Sequence, residues 1–202
     1  MKNDTQKKLL NFVSRETISK YEILHNEIHK WNKSTRLIQE RTLDEFWERH
    51  ILDSLQILPY LGEYSKIIDM GTGAGFPGMV LAIAGIKNIT LCESMLRKCV
   101  FLNEIKRLTN AEVEIINVRV EDVSNGLYDL VLSRAMTELV HLIESSLIVS
   151  RETKCRMLVH KGKTYELEIE RALQSYEFTW AKHQSITDSQ SVILDIENIK
   201  KI

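Results

Sequence analysis

With 202 residues and 44% hydrophobic content, the chain has material for one substantial core and a small appendage, which argues against two full domains. A formal charge of −1 removes any general attraction for polyanions, and the three cysteines, Cys92, Cys99 and Cys155, lack C-x-x-C or Cys/His spacing, so they read as small buried residues in a reducing compartment without structural metal. No apolar run reaches the roughly 18 residues that cross a bilayer, and the start MKNDTQKKLL is too polar for a signal peptide, so a cytoplasmic protein is expected.

The first 60 or so residues read as helical. Ile18, Tyr21, Leu24, Ile28 and Trp31 recur at steps of three and four, and Thr42 with Glu45 forms a capping-box pattern ahead of Phe46, Trp47, Ile51, Leu55 and Leu58, with Pro59 at the end. From Ile67 the period changes. The β-rich runs KIID, NITLCE, VEIINV, YDLVLS and CRMLVH alternate with amphipathic segments at about 78–84, 95–108, 137–149 and 164–175, which predicts a parallel sheet wrapped by helices. Two last runs, FTWAKHQS and SVILDIE, are separated by a polar turn without a helix and should close the sheet as an antiparallel edge pair. Residues 1–62 are thus expected as a helical extension packed on an α/β domain of residues 63–202.

The stretch KIIDMGTGAGFPGMVLAI carries Gly71, Gly73, Gly75 and Gly78 between a strand and a helix. Glycine lets backbone approach a ligand, and a helix N-terminus offers free N–H groups. GAGFPG at 73–78 satisfies the dinucleotide expression GxGxxG, but Asp69 stands at the strand end where a pyrophosphate would have to lie. Like charges about 4 Å apart cost about 4 kcal/mol at an effective dielectric of about 20. A P-loop is excluded because no Gly-Lys-Ser/Thr follows. S-adenosylmethionine fits without that conflict, since it carries no phosphate and its ammonium group seeks acceptors near Asp69 and the Gly71 carbonyl. Glu93, 22 residues beyond Gly71 at the end of the second strand, suits the ribose hydroxyls, although Glu93-Ser94 also suits a helix start. Val120 and Glu121, after the third strand, lie where the adenine ring is expected.

The fourth strand ends in Ser133-Arg134-Ala135, not in the Asn/Asp-Pro-Pro-aromatic run that grips an exocyclic amine. Cys92 and Cys155 are at the wrong places for a cytosine C5 nucleophile. A ring nitrogen with its own lone pair, such as guanine N7, needs neither nucleophile nor base, and positioning supplies the catalysis. Cations collect at the same edge: Arg97, Lys98, Arg134, His160, Lys161 and Lys163. Their convergence favours RNA as substrate. Arg49 and His50 join that set, while Asp53, four residues after Arg49, leaves an intrahelical ion pair as the alternative. A small-molecule methyltransferase is the runner-up; a nicotinamide-dependent oxidoreductase and a non-catalytic RNA-binding protein are the outsiders.

WNK at 31–33, RHILDS at 49–54, GTGAGFPG at 71–78, ES-x-x-RK-x-x-FL from Glu93 to Leu102, RVE at 119–121, SRA at 133–135 and KG at 161–162 resemble the ribosomal RNA small subunit methyltransferase G (RsmG/GidB) family through most of the chain. The resemblance implies a class I, Rossmann-like S-adenosylmethionine-dependent methyltransferase fold, with a mostly parallel seven-stranded sheet, an antiparallel C-terminal edge strand and an N-terminal helical extension. It implies methylation of guanine N7 in the 530 loop of 16S rRNA, with the small ribosomal subunit or its precursor as partner and a monomer as the simplest state. Cofactor contacts carry over to Gly71, Phe76, Val120, Glu121 and Arg134, Arg134 being the positioning residue without a general base. The family usually has Asp-Ser and Lys-Arg at Glu93-Ser94 and Arg97-Lys98, often Leu at Phe76, and Asn-Leu at Arg36-Leu37, where the role of the loop is left open.

Overall fold

The computed structural model describes residues 3–123, 128–134, 136–150 and 155–202. Its centre is β1 (Ile67–Met70), buried at every position, as a parallel strand covered on both faces must be. β2 (Ile89–Cys92), β3 (Glu114–Ile116), β4 (Leu130–Arg134) and β5 (Arg156–Lys161) extend the parallel array, and β6 (Tyr176–Gln184) and β7 (Val192–Lys201) complete a seven-stranded sheet of order β3-β2-β1-β4-β5-β7-β6. β7 runs antiparallel to both neighbours, and β6 lies outermost. The chain therefore reverses its direction of winding between β1 and β4, whose carboxyl ends flank the crevice where open α/β sheets bind ligands.

Alternate strand residues face opposite layers. Ile67, Leu91, Leu130, Leu132 and Leu158 pack with α4 (Gly78–Ile83), α5 (Leu96–Thr109) and the N-terminal segment, while Ile68, Val131, Met157 and Val159 pack with α6 (Leu139–Val149) and α7 (Tyr165–Ala172). The N-terminal segment contributes α1 (Asn3–Leu10) and α2 (Arg15–Trp31), the latter capped by the Ser14 hydroxyl, which accepts from the Thr17 N–H at 3.3 Å. Tyr21, fully buried on α2, donates its hydroxyl to the Val80 carbonyl of α4 at 2.9 Å, and Trp31 meets Phe101 of α5 edge-on at 5.7 Å. Among the described residues no helix is long and apolar enough to cross a membrane.

The second N-terminal helix differs from expectation. A 3-10 turn at Glu40–Thr42 leads into a π-helical segment, Trp47–Leu52, continued by the short α3 (Asp53–Leu55). Thr42 is no cap: its hydroxyl donates to the Gln39 carbonyl at 2.7 Å and sits 3.1 Å from His50 Nε2. A tertiary partner outcompetes the local capping pattern here. π-helical turns concentrate at functional sites.

At the opposite end of the molecule Arg156 fastens the extension to the sheet margin. It donates to the Tyr60 and Leu61 carbonyls at 2.7 and 2.8 Å and forms a forked pair with Asp195 at 2.7 and 2.9 Å. Arg156→Ala leaves two carbonyls and a carboxylate unsatisfied. It is expected to lower unfolding free energy by about 2 to 3 kcal/mol, read from urea denaturation, with Arg156→Lys recovering only part because it cannot fork.

Candidate active site

The glycine loop after β1 is shaped by Asp69. Its wholly buried carboxylate uses Oδ2 to accept from the Thr72 hydroxyl and from the Gly78 N–H at 2.8 Å, stapling both ends of the loop. Oδ1 has no partner among the described residues. Burial pushes its pKa up to about 7, against the lowering effect of those two donors. Gly78 is required by this staple, because a Cβ there would meet Leu91 and lie 2.8 Å from the Asp69 Cβ. Gly71 and Gly73 adopt positive φ, +66° and +61°, and a Cβ on Gly73 would find only the Gly71 carbonyl at 3.9 Å. The space above Gly73 is open, whereas the Met136 sulfur stands 3.0 Å from where a Cβ on Gly71 would lie.

Glu93 borders that space. Its Oε2 accepts from the Gly73 N–H at 3.1 Å and its Oε1 from the Met95 N–H at 2.8 Å, while Lys98 stands 3.7 Å away. Each oxygen keeps a lone pair for a sugar hydroxyl. The helix-start role is seen in the bond from Met95 N–H, and the bond from Gly73 N–H ties the same side chain to the loop. Asn117 donates to the carbonyls of Glu93 and Ser94 at 2.9 Å each, drawing the chain after β3 alongside. There Val120 is buried and Glu121 exposed in a 3-10 turn, Val120–Asp122.

Arg134, at the end of β4, is the hub between this cleft and the N-terminal segment. Its Nε lies 3.1 Å from Asp53 Oδ2, and its Nη2 donates to the Arg49 carbonyl at 2.7 Å and lies 3.3 Å from His50 Nδ1. Its guanidinium also sits 5.7 Å from the centre of the Phe76 ring, on which His50 stacks at 4.7 Å. Phe76 is therefore buried in the layer that supports Arg134. Asp53 Oδ1 in turn accepts from Thr187 at 2.6 Å and Gln56 at 2.7 Å, so one carboxylate joins the N-terminal segment, β4 and the turn between β6 and β7. Arg49 points elsewhere, 3.9 Å from Glu45, so the Arg49–Asp53 ion pair that spacing allowed does not form. Gln56, Thr72 and Thr187 were not singled out from sequence, and Thr42 was read there only as a helix cap. Short polar side chains carry no spacing signal when their partners lie on other elements.

The cations expected to face RNA separate into two groups. Arg49, Arg97 and Lys163 are exposed, and Lys98 is half-buried near Glu93. His50, His160 and Lys161 are corrections. His50 is 6% exposed and spans Arg134 and Thr42; His160 Nε2 lies 2.8 Å from the Asp53 carbonyl; and the Lys161 ammonium donates to Thr137 and Glu168 at 2.7 Å each. These contacts hold elements together within the fold, and only His160 Nδ1 among the ring nitrogens of the two histidines is left without a partner among the described residues. Beside Arg134 opens a groove of about 1160 Å³ between the N-terminal segment and the β6–β7 turn, lined by Trp47, Arg49, Arg134 and Lys161 but also by Asp44, Glu45, Glu48, Asp53 and Asp188. In SRA, Ala135 lies outside the described residues.

With a staple-closed glycine turn, an acidic strand end and an arginine hub in place, similarity to other proteins becomes decisive. Residues 17–196 match the model of the GidB family, rRNA small subunit methyltransferase G. The chain belongs to this family. The ribosomal RNA small subunit methyltransferase G of Rickettsia prowazekii is 42% identical over 191 residues, covering 94% of this chain and 98% of that protein. Among solved structures, a ribosomal protein L11 methylase from Lactobacillus delbrueckii subsp. bulgaricus superposes with a TM-score of 0.59 at 17% identity, covering 73% of this chain and 77% of that one. TYW2 of M. jannaschii in complex with AdoMet gives 0.57 at 16%, covering 82% and 78%. Those two share the fold. As a member of the GidB family the chain is an rRNA methyltransferase that takes S-adenosylmethionine.

The buried histidines have a measurable consequence. Burial first, then the Arg134 and Arg49 charges, holds His50 down from 6.5 to about 3, and burial shifts His160 the same way. The unfolded chain binds more protons between those values, so stability falls as pH drops from about 6.5 toward 3. Urea midpoints should decline through this window in the wild type and less steeply in His50→Gln. Parallel slopes would show that His50 is not buried in neutral form.

Proposed function

We propose that the protein methylates N7 of a guanine in the 530 loop of 16S rRNA by direct attack of the ring nitrogen, with positioning in place of a general base. The observation that carries this reading is the end of β4. Arg134 is locked there by Asp53, Arg49 and His50, while the neighbouring groups that acid–base or covalent chemistry would need are already committed. Burial pushes the Cys92 thiol up to about 12 and the Cys155 thiol upward, so neither is a ready nucleophile. His50 is neutral and accepts from Arg134 through Nδ1, which leaves Nε2–H to donate to Thr42. Asp53 is held by three donors, and Asp69 is wholly buried beneath the loop.

Guanine N7 suits such a site. Its lone pair forms the new N–C bond as the sulfonium C–S bond breaks, the electron pair leaves on sulfur, and the base gains a positive charge without releasing a proton. When bound, S-adenosylmethionine supplies the electrophilic methyl group. Gly71, Gly73 and Glu93 would hold its amino-acid and ribose parts through backbone and carboxylate acceptors, Val120 and Glu121 would border its base, and Asp69 would contribute negative potential below the turn. Phe76 and His50 keep Arg134 level at the boundary between this cleft and the groove. Proximity and orientation are worth several orders of magnitude in rate when the reacting atoms are held about 3 Å apart. The carboxylates of the groove are the one feature that favours a small-molecule acceptor. Family membership outweighs them.

The test is transfer of labelled methyl to 16S rRNA and to 30S particles, followed by mapping with chemistry that cleaves at N7-methylguanine. Label at a single 530-loop guanine is expected; label at another atom or another loop would overturn the assignment. Arg134→Ala should lower kcat/KM by about 100-fold or more yet keep a cooperative unfolding transition, since Asp53 retains Thr187 and Gln56. Wild-type turnover in that variant would remove Arg134 from the mechanism.

A further inference from the structure

The segment after α2, residues 32–41, contains the Arg36-Leu37 pair whose role the sequence left open. It is irregular yet fixed. Asn32 Oδ1 accepts from the N–H groups of Leu37 and Ile38 at 2.9 and 3.0 Å, Thr35 N–H donates to the Trp31 carbonyl at 2.8 Å, and the side chains of Leu37 and Ile38 are buried as anchors. What this leaves outside is cationic. Lys33, Arg36 and Arg41 are all exposed, and they line one concavity of about 590 Å³ with Asn32, Ser34, Ile38, Gln39 and Glu40. None of the three forms an ion pair among the described residues; Arg41 donates to the Gln39 side chain at 2.8 Å. Glu40 is the single carboxylate of the concavity, against three cations.

Two further observations give this basic concavity a direction. The chain runs from Arg41 straight into Leu43, Asp44 and Glu45, which form a wall of the groove beside Arg134. A hydrogen-bonded relay also links the two places: Arg134 to His50, His50 to Thr42, and Thr42 to the Gln39 carbonyl. The groove itself is a poor track for phosphates. His50, His160 and Lys161 are turned into contacts within the fold, and Asp44, Glu45, Glu48 and Asp188 line it. A neutral base tolerates those carboxylates, whereas phosphodiesters do not.

We infer that residues 32–41 form an RNA backbone-binding surface, in which Lys33, Arg36 and Arg41 hold phosphates of the substrate strand while the target base enters the adjoining groove. Rigid backbone presentation lowers the ordering cost of binding, and cation–phosphate contacts set affinity and its salt dependence. This rests on the chain's acting on rRNA.

The experiment uses the full-length protein with Lys33→Gln, Arg36→Gln and Arg41→Gln combined, and a control with Lys200→Gln and Lys201→Gln at the far end of β7. Binding of a 16S rRNA fragment spanning the 530 loop is measured across a salt series, S-adenosylhomocysteine binding by calorimetry, and methyl transfer at saturating RNA. The triple variant should bind the fragment about tenfold or more weakly, with a log–log salt slope shallower by roughly two to three contacts, while S-adenosylhomocysteine affinity and kcat stay near wild type. The control should bind RNA like the wild type. Unchanged affinity and slope in the triple variant would overturn the inference, as would an equal loss in the control. A wild-type protein that fails to methylate RNA at all would instead count against the rRNA reading.

Discussion

The structure depends on the ion pair between Asp53 and Arg134. Both side chains are largely removed from water, 13% and 15% exposed, so each charge offsets the desolvation of the other. The pair also carries more than its own Coulomb attraction. Through the second carboxylate oxygen it reaches Thr187 and Gln56, and through the second guanidinium nitrogen it reaches the Arg49 carbonyl and His50. An N-terminal segment, the end of a central strand and a turn near the sheet margin thereby share one electrostatic centre. Apolar packing alone would bring these elements together without fixing their relative rotation, whereas directional bonds to a planar guanidinium do.

A second carboxylate organises the other half of the site by a different route. Asp69 has no cationic partner in hydrogen-bond contact and survives burial by accepting two hydrogen bonds, one from a hydroxyl and one from a backbone N–H. The cost appears in its raised pKa, and the product is a loop whose two ends are tied, with Gly73 open above it and Met136 over Gly71. Glu93 then closes the side of that opening with bonds to backbone N–H groups on both the loop and the approach to α5. These acceptors suit the proposed placement of a cofactor with a positive sulfonium and ammonium and two adjacent hydroxyls.

Separating these two centres explains how charge is divided. Basic residues near Arg134 are engaged in holding strands and segments in place, as His160 shows with the Asp53 carbonyl and Lys161 with Glu168. The cations that solvent or RNA can reach lie on exposed backbone such as residues 32–41 and the start of α5. A near-neutral protein thus presents localised positive surface beside a groove of mixed charge.

Much of this was legible in the residues. The change from a 3.6 to a 2 period at Ile67 is a local property of backbone geometry, and it places the strands; β1 and β2 are buried throughout as mostly apolar runs, with Asp69 and Thr90 as their hydrogen-bonded exceptions. The glycine spacing with Asp69 and Glu93 likewise identified the cofactor, because those residues act through backbone conformation near themselves in sequence. The capping pattern at Thr42 misled, since its hydroxyl is claimed by His50 and Gln39. His50, His160 and Lys161 misled for a related reason: a charge type reveals nothing about which way the side chain points once the chain has folded. The sequence by itself determined the layer order, the cofactor loop and the family; only the tertiary structure decided that Asp53 belongs to Arg134 and not to Arg49. The physical reason is that the attraction of a buried ion pair depends on the desolvation and distance of partners 81 positions apart, and neither exists before the sheet is assembled.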